Sequence, residues 1–252
     1  MVAPDVEYKF VQPGDALCDY VESYWMLVNH ANEPREIVLV PDGRIDVIFS
    51  CSANEPFHTL LMGLSDQPDQ TIFAPGTIMA AVSFKLSAVE YILRNNMAGL
   101  LNEAQLLPNN FWGIEQADLH DFDHFYKKVS LAVEACIKEP IDGRKQKLFN
   151  LIYASNGAMS VKELSEQSYW SSRQINRYFN QQFGISLKTY CNILRFRASF
   201  EHIKEGKLFP QQNFADQAHF IKEVKKFAGV VPKALSKNKN DRFIQFSTLP
   251  KK

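Results

Sequence analysis

Four polar side chains in the C-terminal third have the types and the spacing to read DNA bases. Arg173, Asn176, Arg177 and Asn180 recur at i, i+3, i+4 and i+7, along one face of a helix predicted over 172–183. Arginine can donate to the O6 and N7 acceptors of guanine, and asparagine can pair with adenine, at the depth of the major groove. Ile175, Phe179 and Phe183 recur on the other side, with Tyr178 beside them, as a stripe for burial. The polar face carries no acidic residue. On an isolated helix, a solvated polar face would be the better reading. The flanking sequence moves the balance toward recognition.

Ser160-Val161-Lys162-Glu163 fits a capping box, with Ser160 as the N-cap and Glu163 reaching back. Ser171-Ser172-Arg173-Gln174 fits another, eleven residues later, after Gln167-Ser168-Tyr169-Trp170. A short helix, a tight turn and a second helix outline a helix-turn-helix. Charge agrees. The whole chain of 252 residues is formally neutral, yet residues 155–252 hold 17 Lys and Arg against 7 Asp and Glu, a balance of +10. The remainder carries 11 basic and 21 acidic residues, a balance of −10. The basic part is the one expected to meet a polyanion.

The stretch from 160 to 198 resembles the first half of the DNA-binding domain of the AraC/XylS family. Val161, Leu164, Ser171, Arg177, Phe179, Phe183-Gly184, Ser186, Tyr190 and Arg195 to Ala198 carry the likeness. Phe214-Ala215-Asp216-Gln217-Ala218-His219-Phe220, then Phe227-Ala228-Gly229-Val230 and Pro232, resemble the second half. The resemblance implies two helix-turn-helix modules joined by a long helix, each placing a recognition helix in one of two successive major grooves. By position, Arg173, Asn176 and Arg177 form the first reading head, and Gln217, Ala218, His219 and Lys222 the second. One departure stands out. Between Ala198 and Phe214 the chain is about one turn shorter than the family pattern, and Pro210 lies in the gap. Residues 207–213 are therefore not expected to form the supporting helix of the second module. Lys222, Lys225 and Lys226, on one face, are expected to hold phosphates there instead of reading bases.

Other elements must position these heads. Tyr190, Leu194 and Ala198 line one stripe of the linking helix, and Ile193, Phe196, Phe200 and Ile203 another, so it can pack on both sides. Upstream, 6–11, 20–28, 36–40 and 45–49 are rich in β-branched and aromatic residues and read as strands, with further strands over 71–73 and 77–84. Pro41-Asp42-Gly43-Arg44 predicts a hairpin turn between the third and fourth. Helices are predicted over 88–95 and, long and amphipathic, over 122–138. Packing within its own domain is the better reading of the second, ahead of a dimer contact. Pro140-Ile141-Asp142-Gly143 breaks the chain. The expected fold is α+β in two domains: a β-rich effector or dimerisation domain over 1–140, ending in the long helix, and an all-α tandem helix-turn-helix domain over 144–247. The first resembles, less specifically, a domain often fused ahead of such modules, through Trp25, Pro41-Asp42-Gly43, Asp46, Phe49, Gly63 and Phe84.

Composition narrows the rest. An apolar content of 46 % supports a sizeable core. No export signal or membrane span is evident, so a cytoplasmic, non-membrane protein is expected. Cys18, Cys51, Cys136 and Cys191 form no CxxC pair, so neither a zinc site nor a disulfide framework is expected. Trp25, His30 and His58 identify no ligand. The expected function is sequence-specific transcription regulation without catalysis or cofactor. Expected partners are double-stranded DNA, a small-molecule effector, a second copy of the chain and RNA polymerase. The competing readings are an alkyl-transfer DNA-repair protein with a reactive cysteine, and a ligand-binding module whose DNA-binding domain has degenerated.

Overall fold

In the computed structural model, residues 5–211 and 213–248 are described. The N-terminal part holds strands β1 (Val6–Val11), β2 (Val21–Asn29), β3 (Arg35–Leu39), β4 (Ile45–Cys51), β5 (His58–Met62), β6 (Asp69–Phe73), β7 (Ile78–Phe84) and β8 (Ala104–Leu107). Six of them form one sheet in the order β1-β2-β7-β4-β5-β8, and β3 pairs with β6 in a separate ribbon. All pairings between these strands are antiparallel.

The period-2 alternation assigns the two faces of the large sheet. Tyr24, Met26, Val47, Phe49, Ala80 and Val82 are buried on the inner face. The long helix α1 (Phe122–Cys136) covers it through Phe122, Phe125, Val129 and Val133, with Phe49 and Phe125 packed edge-on at 5.6 Å. Helix α1 thus spends its main apolar stripe within its own chain. Trp25, Leu27 and Met79, on the outer face, meet Ile37, Leu39 and Phe73 of the ribbon.

The turn at Pro41-Asp42-Gly43-Arg44 forms, but it does not close a hairpin. Strand β3 pairs with β6, whereas β4 pairs with β5 and β7. The turn carries the chain from the ribbon to the large sheet. Gly43 takes φ +79°, and the Asp42 carboxylate accepts from the Arg44 amide at 3.1 Å. The stretch expected as a helix over 88–95 is one wide turn, Val89–Leu93.

The remainder is helical: α2 (Gly143–Ala154), α3 (Val161–Ser168), α4 (Ser172–Phe183), α5 (Leu187–Ala198), α6 (Phe200–Lys204), α7 (Gln217–Ala228), α8 (Pro232–Lys237) and α9 (Ile244–Ser247). The fold is therefore α+β, with the strands preceding the helices. One hydrophobic cluster runs through both parts, from Phe49 and Phe84 to Phe149, Phe179, Phe196 and Phe227.

Polar contacts stitch the same seam. Tyr190 donates to the Gly43 carbonyl at 3.0 Å and lies 3.2 Å from the Tyr153 hydroxyl. Tyr153 in turn accepts from the Leu86 amide at 2.9 Å. Arg197 pairs with Glu22, and Lys145 with Glu90 at 2.8 Å. The stripe of α5 bearing Tyr190 and Leu194 therefore packs on the turn at Gly43, and not only on a helical module.

Candidate nucleic-acid interface and a cavity between the sheets

Both capping boxes are present. Ser160 accepts from the Glu163 amide at 3.2 Å while Glu163 accepts from the Ser160 amide at 2.7 Å. Ser171 and Gln174 repeat the exchange at 3.3 and 3.1 Å. Each exchange satisfies two otherwise orphaned donors, which fixes where α3 and α4 begin. Between them Tyr169 turns left-handed at φ 55°. Helix α4 ends at Gly184 with φ +74°, and a Cβ there would lie 2.8 Å from the Ala98 carbonyl oxygen.

Ile175, Phe179 and Phe183 are fully buried, whereas Arg173, Arg177 and Asn180 are exposed and Asn176 is half-buried. The four sequence-predicted residues thus share one outward face. Neither arginine is in an ion pair among the described residues. The asparagine amides are turned onto their own helix, Asn176 donating to the Ser172 carbonyl at 3.0 Å and Asn180 to the Asn176 carbonyl at 2.8 Å. Each bond uses one of the two amide N–H donors and leaves the other donor and the Oδ1 acceptor available.

The stretch before α7 lacks a supporting helix, as the sequence indicates. No helix occupies the described residues between α6 and α7. The loop is held instead by side chains. Arg195 donates to the Asn213 carbonyl at 2.8 Å and lies over the Phe214 ring, and Gln217 donates to the Leu208 carbonyl at 2.7 Å. Asp216 caps α7 by accepting from the His219 amide at 2.8 Å, and the His219 ring accepts from the Ala215 amide at 3.3 Å. Gln217 and His219 therefore both serve the loop that stands in for the missing helix. Phe220, Val224 and Phe227 are buried, Phe227 against Phe196 at 5.4 Å. Lys222, Lys225 and Lys226 are exposed, while Glu223 on the same helix is turned inward. The three lysines form an outward cationic patch with no carboxylate of their own helix beside it.

A second feature lies between the large sheet and the ribbon. Here a cavity of about 180 Å³ is lined by Trp25, Leu27, Ile37, Ile48, Met62 and Met79, among others. Its polar wall is Asp42, Arg44 and Asp46, with Tyr8 nearby. Arg44 donates to Asp42 through Nε at 2.9 Å and through a second nitrogen. Ser83 donates to Asp46 and accepts from the Trp25 indole at 3.0 Å. Burial raises the Asp46 carboxyl to about 6, against the opposing pull of Arg44. One side of the cavity is closed by Ile244, Gln245 and Thr248. This segment is anchored by the Arg242 carbonyl accepting from the Val38 amide at 2.7 Å, and by Gln245 bonding to both Val40 backbone groups at 3.3 and 3.0 Å.

Sequence reading missed Arg44 as a functional candidate and used Asp46 only as a marker of likeness. The available signal was a carboxylate inside the apolar run Ile45-Asp46-Val47-Ile48-Phe49, which a buried strand tolerates only with partners. Trp25 lines the cavity. His30 pairs with Glu7 at the surface, and His58 bonds the Pro56 carbonyl. Cys191 is buried and its thiol is pushed up to about 12 by desolvation, the opposite of a reactive thiolate. Among the described residues no cluster of His, Cys, Asp or Glu could hold a metal ion, and no helix is long and apolar enough to cross a membrane.

Residues 9–105 match the family model of a domain of unknown function, DUF6597. No curated protein matches. Among solved structures the chain is similar to ToxT from Vibrio cholerae. With ToxT of strain O395 it shares 13 % identity, covering 93 % of this chain and 98 % of that one with a TM-score of 0.45. For a P21 crystal form of ToxT the values are 14 %, 91 %, 96 % and 0.44. For ToxT of strain SCE256 with an unsaturated fatty acid bound, they are 13 %, 92 %, 94 % and 0.41.

Proposed function

We propose that this chain is a sequence-specific DNA-binding transcription regulator of the AraC type, in which α4 reads bases and α7 grips the phosphate backbone. The observation that carries the reading is the outward face of α4. Arg173, Asn176, Arg177 and Asn180 stand together there, free of acidic neighbours on that face. Behind them is a fully buried stripe, and the preceding helix is capped at the spacing of a helix-turn-helix. Exposed Lys222, Lys225 and Lys226 supply sequence-independent attraction. The cavity between the sheets is the place for a small-molecule effector, and the polar seam around Gly43 is a route by which its occupancy reaches the helices.

The testing experiment is selection of bound fragments from genomic DNA by the full chain, followed by binding curves on the selected and scrambled sequences at several salt concentrations. A selected sequence bound at least tenfold tighter than its scramble supports the reading. Equal binding to both, or none, overturns it.

A further inference from the structure

We propose that the cavity between the two sheets binds a small organic cation with an apolar body, its ammonium group held by Asp46 and the Trp25 ring, with the 242–248 segment as its lid. The binding claim stands on the cavity itself; that the bound cation acts as an effector rests on the regulator reading above.

Size comes first. A cavity of about 180 Å³ is slightly larger than one of about 150 Å³ that takes benzene, so it suits a ligand of roughly seven or eight heavy atoms. Most of its wall is apolar: Leu27, Ile37, Ile48, Met62, Met79 and Ile244. The ligand must therefore present a hydrocarbon body.

Charge then decides the head group. The formal charges lining the cavity are Asp42, Arg44 and Asp46. Asp42 and Arg44 neutralise one another through two hydrogen bonds. Asp46 is left as the surplus charge, with Ser83 donating to it and Trp25 beside it. Arg44 compensates it only in part, since burial still holds its carboxyl above the ordinary range. A carboxylate ligand would add a second negative charge to this wall. An ammonium would remove the surplus, and the Trp25 indole that lines the cavity supplies an aromatic ring for a cation–π contact.

Closure comes from 242–248. Gln245 bridges to Val40, Ile244 is buried against the ribbon, and Thr248 completes the rim. A bound cation that packs on Ile244 and Gln245 stabilises the closed segment, which follows directly on α8 and the second DNA-binding module.

The test uses three probes of similar size and different charge: benzylamine, benzyl alcohol and benzoate, titrated calorimetrically into the full chain. Benzylamine is expected to bind at least tenfold tighter than benzyl alcohol, and benzoate to show no binding. Asp46→Asn is expected to abolish the preference for the amine. Should that variant not fold, the wild-type pH profile decides. Benzylamine stays protonated throughout, so its affinity should fall as pH drops through about 6, because it needs the ionised carboxylate. Benzyl alcohol should show no such fall. The groups facing Asp46 are Arg44 and Asp42 from the turn that leads into β4 and Tyr8 from β1. Trp25, Ser83 and Met62 from the other strands, and Gln245 and Thr248 from the lid, add no titration in this range. Hydrogen exchange over 242–246 should slow with benzylamine. Benzoate binding as tightly as the amine, a flat pH profile, no amine binding at millimolar concentration, or unchanged exchange at 242–246 would each overturn the proposal. None of these readouts involves DNA, so they leave the regulator reading to its own test.

Discussion

At the scale of single residues, the two helical heads make separable predictions. Arg177→Ala should weaken binding to the selected sequence by about 1–3 kcal/mol and relax the preference at one base position, without loss of helical circular dichroism. Unchanged operator affinity would remove α4 from the interface. Lys222→Ala should weaken operator and scrambled DNA by similar factors and make the salt slope shallower by about one unit. If it loses only operator binding, the second head reads bases. A third residue governs acid stability. At Asp118, burial acts to raise the pKa, but Lys128, the Glu115 amide and His124 together hold it below the ordinary carboxylate value. A carboxylate with a depressed folded-state pKa contributes stability above its unfolded value of about 3.9 and loses it as pH falls through the lower folded value. Asp118→Asn should therefore lower stability at neutral pH and flatten its decline below about pH 4, read by urea unfolding at stepped pH. Much of this scale was legible in the sequence: the outward set on α4 and the lysines of α7 follow from spacing alone. Asp46 was not, because a lone acid in a strand gives no sign of whether it meets a partner, a cavity or solvent.

At the scale of elements, the caps are the points where sequence and structure agree most closely. Ser171→Ala leaves the Gln174 amide without its acceptor and should cost about 1 kcal/mol of stability, with a matching loss of DNA affinity because the whole α4 face depends on that first turn. A stability loss with unchanged DNA binding would separate the cap from the interface. Gly184→Ala meets two penalties at once, φ +74° and the Ala98 carbonyl 2.8 Å away. It should lower the melting temperature by more than Ser171→Ala; an equal or smaller drop would mean that α4 does not end against that loop. Elements that sequence reading missed fail for an identifiable reason. Strand β8, Ala104-Gln105-Leu106-Leu107, is built from good helix formers, and it is extended only because Leu107 to Ala104 pair with Thr59 to Met62 of β5. The hairpin expected at Pro41-Asp42-Gly43 failed differently. Turn chemistry fixes the local bend, but partner choice belongs to the apolar faces: Ile37, opposite Thr71 of β6, joins the apolar cluster of Leu27 and Phe73 rather than pairing with β4.

At the scale of the whole molecule, the +10 and −10 parts are not strangers joined by a linker. Their apolar residues form one cluster, and Tyr190, Arg197 and Tyr178 all bond across the seam. Calorimetry of the full chain should therefore give one cooperative unfolding transition; two resolved transitions would mean that the seam contributes little. Charge patterning marked the two parts off from one another. It could not reveal the seam, because Tyr190 and Leu194 read equally well as a stripe facing another helix.

The 242–248 segment also sets an order of events during synthesis. Gln245 bonds to Val40, 205 positions earlier in the chain. At about 5–20 residues per second, the ribbon of β3 and β6, whose second strand ends at Phe73, waits roughly 9–34 s for Ile244. During that interval Leu27, Ile37 and Phe73, buried in the finished protein, lack Ile244, and the amide of Val38 lacks its acceptor. The nascent chain therefore passes through a stage with an open strand edge beside an apolar surface, the combination that invites pairing between chains. Ribosome stalling anywhere after β7 and before residue 242 prolongs that stage and should make the intermediate a substrate for chaperones.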